Sequence, residues 1–107
     1  MHYQVTARLK SGTAAAALRT LLADGTIARQ KPDGAEIVAS MERAAVSADG
    51  LVEWSEVCYC APPLAHERAT VYDRFFDDMT ITPAAGYARR DGRPFLDWLD
   101  ERASRSA

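Results

Sequence analysis

The pair Pro62–Pro63 constrains this chain more than any other feature. Neither residue has a backbone N–H, so no helix interior or central strand runs through them. On one side lies a β-rich run, LVEWSEVCYC at residues 51–60; on the other, LAHERATVYDRFFDD carries a helical pattern. A proline's fixed φ suits a helix entrance, where the missing donor is not needed. Both cysteines and the one histidine outside the N-terminus flank this break. Reactive side chains therefore gather in one joint between a strand and a helix.

Upstream, Tyr3, Val5, Ala7 and Leu9 alternate with Gln4, Thr6 and Arg8. Period two with one polar face predicts a half-buried strand. Ser11 or Thr13 is placed to cap a following helix through its hydroxyl. That helix carries Ala14, Leu18, Leu21 and Leu22 on one stripe and stops at Asp24–Gly25. Residues 26–34 read as connection, ending in the turn-like Lys31-Pro32-Asp33-Gly34.

Residues 35–46 admit two readings. Asp33 and Glu36 have capping-box spacing, and Ile37 with Met41 suits a helix. Alternatively, Ser47-Ala48-Asp49-Gly50 joins two runs of similar length as a hairpin, with Val46 facing Leu51. The hairpin is favoured, because it gives Trp54, Val57 and Tyr59 a partner strand and lays Arg43 on Trp54 within reach of Glu56. Beyond the prolines, Ala65, Ala69, Tyr72, Phe76 and Met79 form an apolar stripe, widened by Arg68, Val71 and Phe75. Residues 79–82 suit a short strand stopped by Pro83, and 86–93 a turn-rich connection with strand character at Tyr87–Arg89. Pro94 opens a last helix with Phe95, Trp98 and Leu99 on one face; residues 103–107 are expected to fray.

The expected order is β-α-β-β-α-β plus a terminal helix in one α+β domain, residues 1–107, with an antiparallel sheet and helices on one face. That outline resembles ferredoxin-like proteins, in particular small dimeric α/β-barrel proteins whose sheets pair face to face. The stretch CYCAPPLAHERATVYDRFFDD also resembles conserved small bacterial proteins of unassigned function. The first likeness implies a homodimer; the second brings no active residues to carry over.

A formal charge of −2, with no basic cluster denser than Arg89, Arg90 and Arg93, speaks against nucleic-acid partners. No apolar run approaches the roughly 18–20 residues that cross a bilayer, so no membrane role is expected. The N-terminal MHYQVTARLK lacks the apolar core of a signal peptide, and two cysteines without an export signal fit a reducing compartment. A cytoplasmic protein is the expectation.

Three sites follow from these placements. By strand parity, the sheet's polar face presents Gln4, Thr6 and Arg8, joined by Ser40, Glu42, Ser55 and Tyr59 from the hairpin. Enclosed by a dimer, that face would bind a small organic ligand without a cofactor, an acid paired to Arg8 being one form. At the joint, Cys60 just before a helix start and His66 in its first turns suggest a nucleophile and base, with Glu67 as helper. Cys58, Cys60 and His66 supply at most three metal ligands where zinc takes four, so no metal is expected and both thiols are assigned to the core. Two other functions stay open: a non-catalytic interaction module, and a thiol- or metal-dependent site at Cys60 and His66.

Overall fold

The computed structural model describes residues 1–88 and 91–106, the side chain of Ser106 excepted. Strand β1 (His2–Leu9) has the expected alternation: Tyr3, Val5 and Ala7 are buried, while Gln4, Thr6 and Arg8 point to the opposite face. Helix α1 (Ala14–Ala23) follows, though Thr13 makes no side-chain capping bond. It stops where Gly25 takes φ +81, a left-handed conformation that glycine adopts without steric penalty. The presumed connection then holds a short helix, α2 (Thr26–Arg29), which buries Ile27.

The hairpin expected over residues 37–46 is not formed. Helix α3 (Gly34–Arg43) occupies that stretch, and only β2 (Ala45–Val46) pairs with β3 (Val52–Val57). The register is Val46 opposite Val52, one residue from the Val46–Leu51 pairing expected. The helix prevails because Ile37 and Met41 lie one turn apart and both reach the core. Gly34 is indispensable at its start, since a β-carbon there would fall on the Ile27 carbonyl oxygen. The turn at 47–50 does form, with Ser47 N–H bonded to Leu51 O at 2.9 Å and Gly50 N–H to Ser47 O at 3.0 Å.

Beyond residue 53, β3 has no β2 residue opposite it, and α3 side chains take over. Val57 N–H donates to Glu36 Oε2 at 2.9 Å, and Arg43 Nη2 donates to Ser55 O at 2.9 Å. Arg43 therefore does not lie on Trp54; it bonds Glu36 and stacks over Tyr87, 4.1 Å from the ring centroid.

After the prolines, helix α4 spans residues 65–75 in three pieces: Ala65–Glu67, a π-helical turn at Arg68–Tyr72, and Asp73–Phe75. It ends earlier than the apolar stripe implied, and β4 (Phe76–Ala84) begins at once. Pro83 sits inside β4 rather than stopping it, which an edge strand tolerates. The sheet is antiparallel and five-stranded in the order β4-β1-β3-β2-β5, where β5 is Arg93–Pro94. Residues 85–88 leave the β4 edge and pass over the sheet as a strap. Ala88 on that strap exchanges hydrogen bonds with Ser55 Oγ at 3.0 and 3.2 Å. Arg89, assigned strand character above, and Arg90 lie outside the described residues.

The terminal helix α5 (Phe95–Ser106) does not fray at Arg102: it continues, and Ala103 is buried. Phe95 N–H bonds to Ala44 O at 2.9 Å, so this helix is tied to the end of α3. One continuous apolar cluster joins the Tyr3, Val5 and Ala7 face of the sheet to residues of all five helices, from Leu18 and Ile27 to Ile37, Tyr72 and Leu99. The fold is thus α+β, with a fifth strand and two added helices beyond the expected outline. No described helix is long and apolar enough to cross a membrane.

Candidate functional site

The joint is the point where three elements converge. Strand β3 ends as Cys58 exchanges backbone bonds with Met1, at 3.0 Å from Cys58 N–H and 3.3 Å from the terminal amine. The chain then turns through the prolines and enters α4 at Leu64, whose φ of +60 is unusual for a non-glycine residue. This reversal folds the Cys58–Cys60 segment over the first turn of α4. The start of α3 packs against the same place, since His66 Nδ1 is 2.5 Å from Asp33 Oδ2 and Gln30 Nε2 donates to Thr70 Oγ1 at 2.7 Å.

A pocket of about 420 Å³ opens here. Its walls are Pro32 and Asp33 before α3, Glu36 on it, Val57 to Cys60 at the end of β3, His66 and Glu67 from α4, and Tyr87 from the strap. The three residues assigned catalytic roles from the sequence, Cys60, His66 and Glu67, are all brought into it. Cys60 does not adjoin a helix N-terminus, because α4 starts only at Ala65. Glu67 faces the interior against which its helix packs, 1 % exposed. Its Oε1 lies 3.4 Å from Cys60 Sγ and 3.7 Å from Cys58 Sγ.

Cys58 is buried, as expected, whereas Cys60 is only half-buried, packing against the core in part; both line the pocket. Burial pushes the Cys58 thiol up to about 12. Two backbone donors point at its sulfur: Cys60 N–H at 3.1 Å and Leu64 N–H at 3.4 Å.

Beneath the pocket lies a second, fully buried carboxyl, Glu56. It accepts from Tyr72 Oη at 2.6 Å and from Trp54 Nε1 at 2.8 Å, both onto Oε1, while Oε2 has no hydrogen-bond partner. Desolvation pushes Glu56 up to about 8, opposed by those two donors and reinforced by the neighbouring Glu67. At neutral pH Glu56 is therefore mostly protonated, and Oε2 is the oxygen free to hold the proton. The π-helical turn makes this layer possible. By lodging one extra residue in the turn, it lets both Glu67 and Tyr72 face Glu56.

The ligand residues expected on the polar sheet face are dispersed. Gln4 and Thr6 do share the open face with Glu53, Thr80 and Thr82 across the registers. Arg8 is held by Asp49, at 3.1 Å to its carboxylate and 3.0 Å to its carbonyl. Ser40 and Glu42 are on helix α3, not on a strand; Ser40 is buried and Glu42 exposed. Ser55 is buried beneath the strap, and Tyr59, 88 % exposed, belongs to the joint pocket instead. Sequence reasoning missed Asp33 and Tyr87 as pocket residues, and Glu56 and Tyr72 beneath it. Asp33 and His66 are 33 positions apart, so no local motif joins them.

Compared with models of known protein families, with curated proteins and with solved structures, the chain matches none.

Proposed function

We propose that this chain binds a small organic molecule in the joint pocket and acts on it by proton transfer through His66. The observation that carries this reading is the 2.5 Å contact of His66 Nδ1 with Asp33 Oδ2 at the pocket wall. A carboxylate accepting the Nδ1 proton fixes the tautomer and leaves Nε2 as the atom that takes up or delivers a proton. The pocket volume falls within the range of small-molecule sites. Its acidic lining is Asp33 and Glu67 beside the imidazole, with Glu36 already paired to Arg43, which disfavours an organic acid over a neutral or cationic ligand. Cys60, half-buried in the same wall, is the thiol in reach of such a ligand in the metal-free chain.

The strand sequence β4-β1-β3-β2, with β5 appended, supports the ferredoxin-like reading. The open polar face around Gln4 and Thr6 supports a homodimer closed on that face, and sedimentation equilibrium measures whether a second copy binds.

A fragment screen by NMR on isotopically labelled chain tests the site. Binding should shift signals of Asp33, Cys60, His66 and Tyr87, and His66→Ala should abolish catalysis of any turnover found while the fold persists. Shifts confined to Gln4, Thr6 and Thr82 would move the site to the sheet face and sink this reading.

A further inference from the structure

The sulfur and carboxylate atoms at the base of the joint have the geometry of a metal centre. We propose that Cys58, Cys60 and Glu67 bind a thiophilic divalent cation, zinc being the best match, with His66 and Asp33 beside its remaining position. Tetrahedral zinc with sulfur at about 2.3 Å and oxygen at about 2.0 Å separates each sulfur from the oxygen by about 3.5 Å. Glu67 Oε1 lies 3.4 and 3.7 Å from the two sulfurs. The ligand atoms of all three residues lie within 4.8 Å of one another, so one ion can reach them together.

An independent observation concerns charge. Glu67 is 1 % exposed, its neighbours are the two thiols and the buried Glu56 carboxyl, and among the described residues it forms no Lys, Arg or His ion pair. A buried carboxylate without a cation is strongly disfavoured. Binding a divalent ion displaces the thiol protons to solvent and gives Glu67 the positive partner it lacks. N–H groups of Cys60 and Leu64 are aimed at Cys58 Sγ, so a metal-bound sulfur there would keep two backbone donors. Leu64 provides its donor from a left-handed backbone, a conformation that persists where the surroundings enforce it.

Glu67 also belongs to a second cluster with Asp33 and His66, again within 4.8 Å. A histidine held by a carboxylate is the usual partner of zinc, either as a ligand or as the base next to its water. Three protein ligands and one remaining position describe a catalytic zinc rather than a structural one. The inference shares the pocket of the proposed function, but it does not require an organic ligand.

The test uses the full chain, reduced and treated with chelator, then titrated with cobalt(II) and, in competition with a chromophoric chelator, with zinc. About one metal per chain and a thiolate-to-cobalt charge-transfer band in the near ultraviolet are expected. Cys60→Ser should weaken the band, and Glu67→Gln should lower zinc affinity about tenfold or more. Cys60 is half-buried and the Glu67 change is isosteric, so circular dichroism should confirm that both variants fold. A folded wild type giving no charge-transfer band, or variants binding zinc as the wild type does, overturns the metal centre. Fragment binding measured in the chelator-treated protein is read separately: its loss sinks the proposed function and leaves the metal result standing.

Discussion

The Tyr72 hydroxyl donates a 2.6 Å hydrogen bond to Glu56 Oε1, tying the π-helical turn of α4 to the C-terminal end of β3. Both groups are fully buried, and Trp54 completes the arrangement by donating to the same oxygen and packing on Tyr72, ring centroids 5.2 Å apart. Tyr72→Phe retains the ring and removes only the donor. It should destabilise the fold by about 1–2 kcal/mol, measured by urea denaturation. An unchanged midpoint would mean that the bond contributes nothing net.

Glu56 also gives stability a pH dependence of definite sign. Its carboxyl rises from 4.5 in the unfolded chain to about 8 in the fold, chiefly through burial. The native state therefore holds a proton that the unfolded state releases between those values. This contribution is fully present below about 4.5 and is lost as pH rises through about 8. The slope approaches about 1.4 kcal/mol per pH unit inside that window. In chelator-treated protein, Glu56→Gln should flatten this part of the stability curve. A variant curve parallel to wild type from pH 5 to about 8 would contradict the assignment.

Glu36 gathers three donors on one oxygen: Val57 N–H at 2.9 Å, Tyr87 Oη at 2.9 Å and Arg43 Nη2 at 3.2 Å. It thereby closes the free edge of β3 and anchors the strap. Glu36→Ala should speed amide hydrogen exchange at Val57 at least tenfold, the direct sign of a lost acceptor, and lower stability by about 1–3 kcal/mol. Exchange at Val5, deep in the sheet, should change only through the global loss.

What the sequence disclosed and what it concealed follow from how local each signal is. Strand β1 was readable because alternation from Tyr3 to Leu9 has no helical alternative. The turn at Ser47–Gly50 was readable because its residues favour the turn themselves. Residues 35–46 were not, since Ile37, Ala39 and Met41 satisfy a period of two as well as Ile37 and Met41 satisfy a helical turn. The choice was made by Gly34 meeting Ile27 and by Glu36 and Arg43 replacing a strand along β3, contacts between distant positions. The joint was visible as a concentration of Cys58, Cys60, His66 and Glu67. The burial of Glu67 was not, because an ideal α-helical wheel has no place for the π turn that rotates it inward. Asp33, read as a capping residue, makes no side-chain cap and instead holds His66.

The two thiols differ in exposure enough to be told apart chemically. Cys58 is 4 % exposed and lies under Leu64, whereas Cys60 is half-buried in the pocket wall. In chelator-treated protein at neutral pH, iodoacetamide should therefore label Cys60 about tenfold or more faster than Cys58, read by peptide mass spectrometry. Added zinc should slow labelling at Cys60, because a metal-bound thiolate is a poorer nucleophile and the ion narrows access to it. Magnesium, which prefers oxygen ligands, should not. Equal rates at both positions would show that the joint opens as a unit, and the burial of Cys58 would then be no barrier. Protection by zinc at Cys60 that disappears in Glu67→Gln would tie the thiol and the buried carboxylate to one ion, since that substitution leaves both cysteines in place.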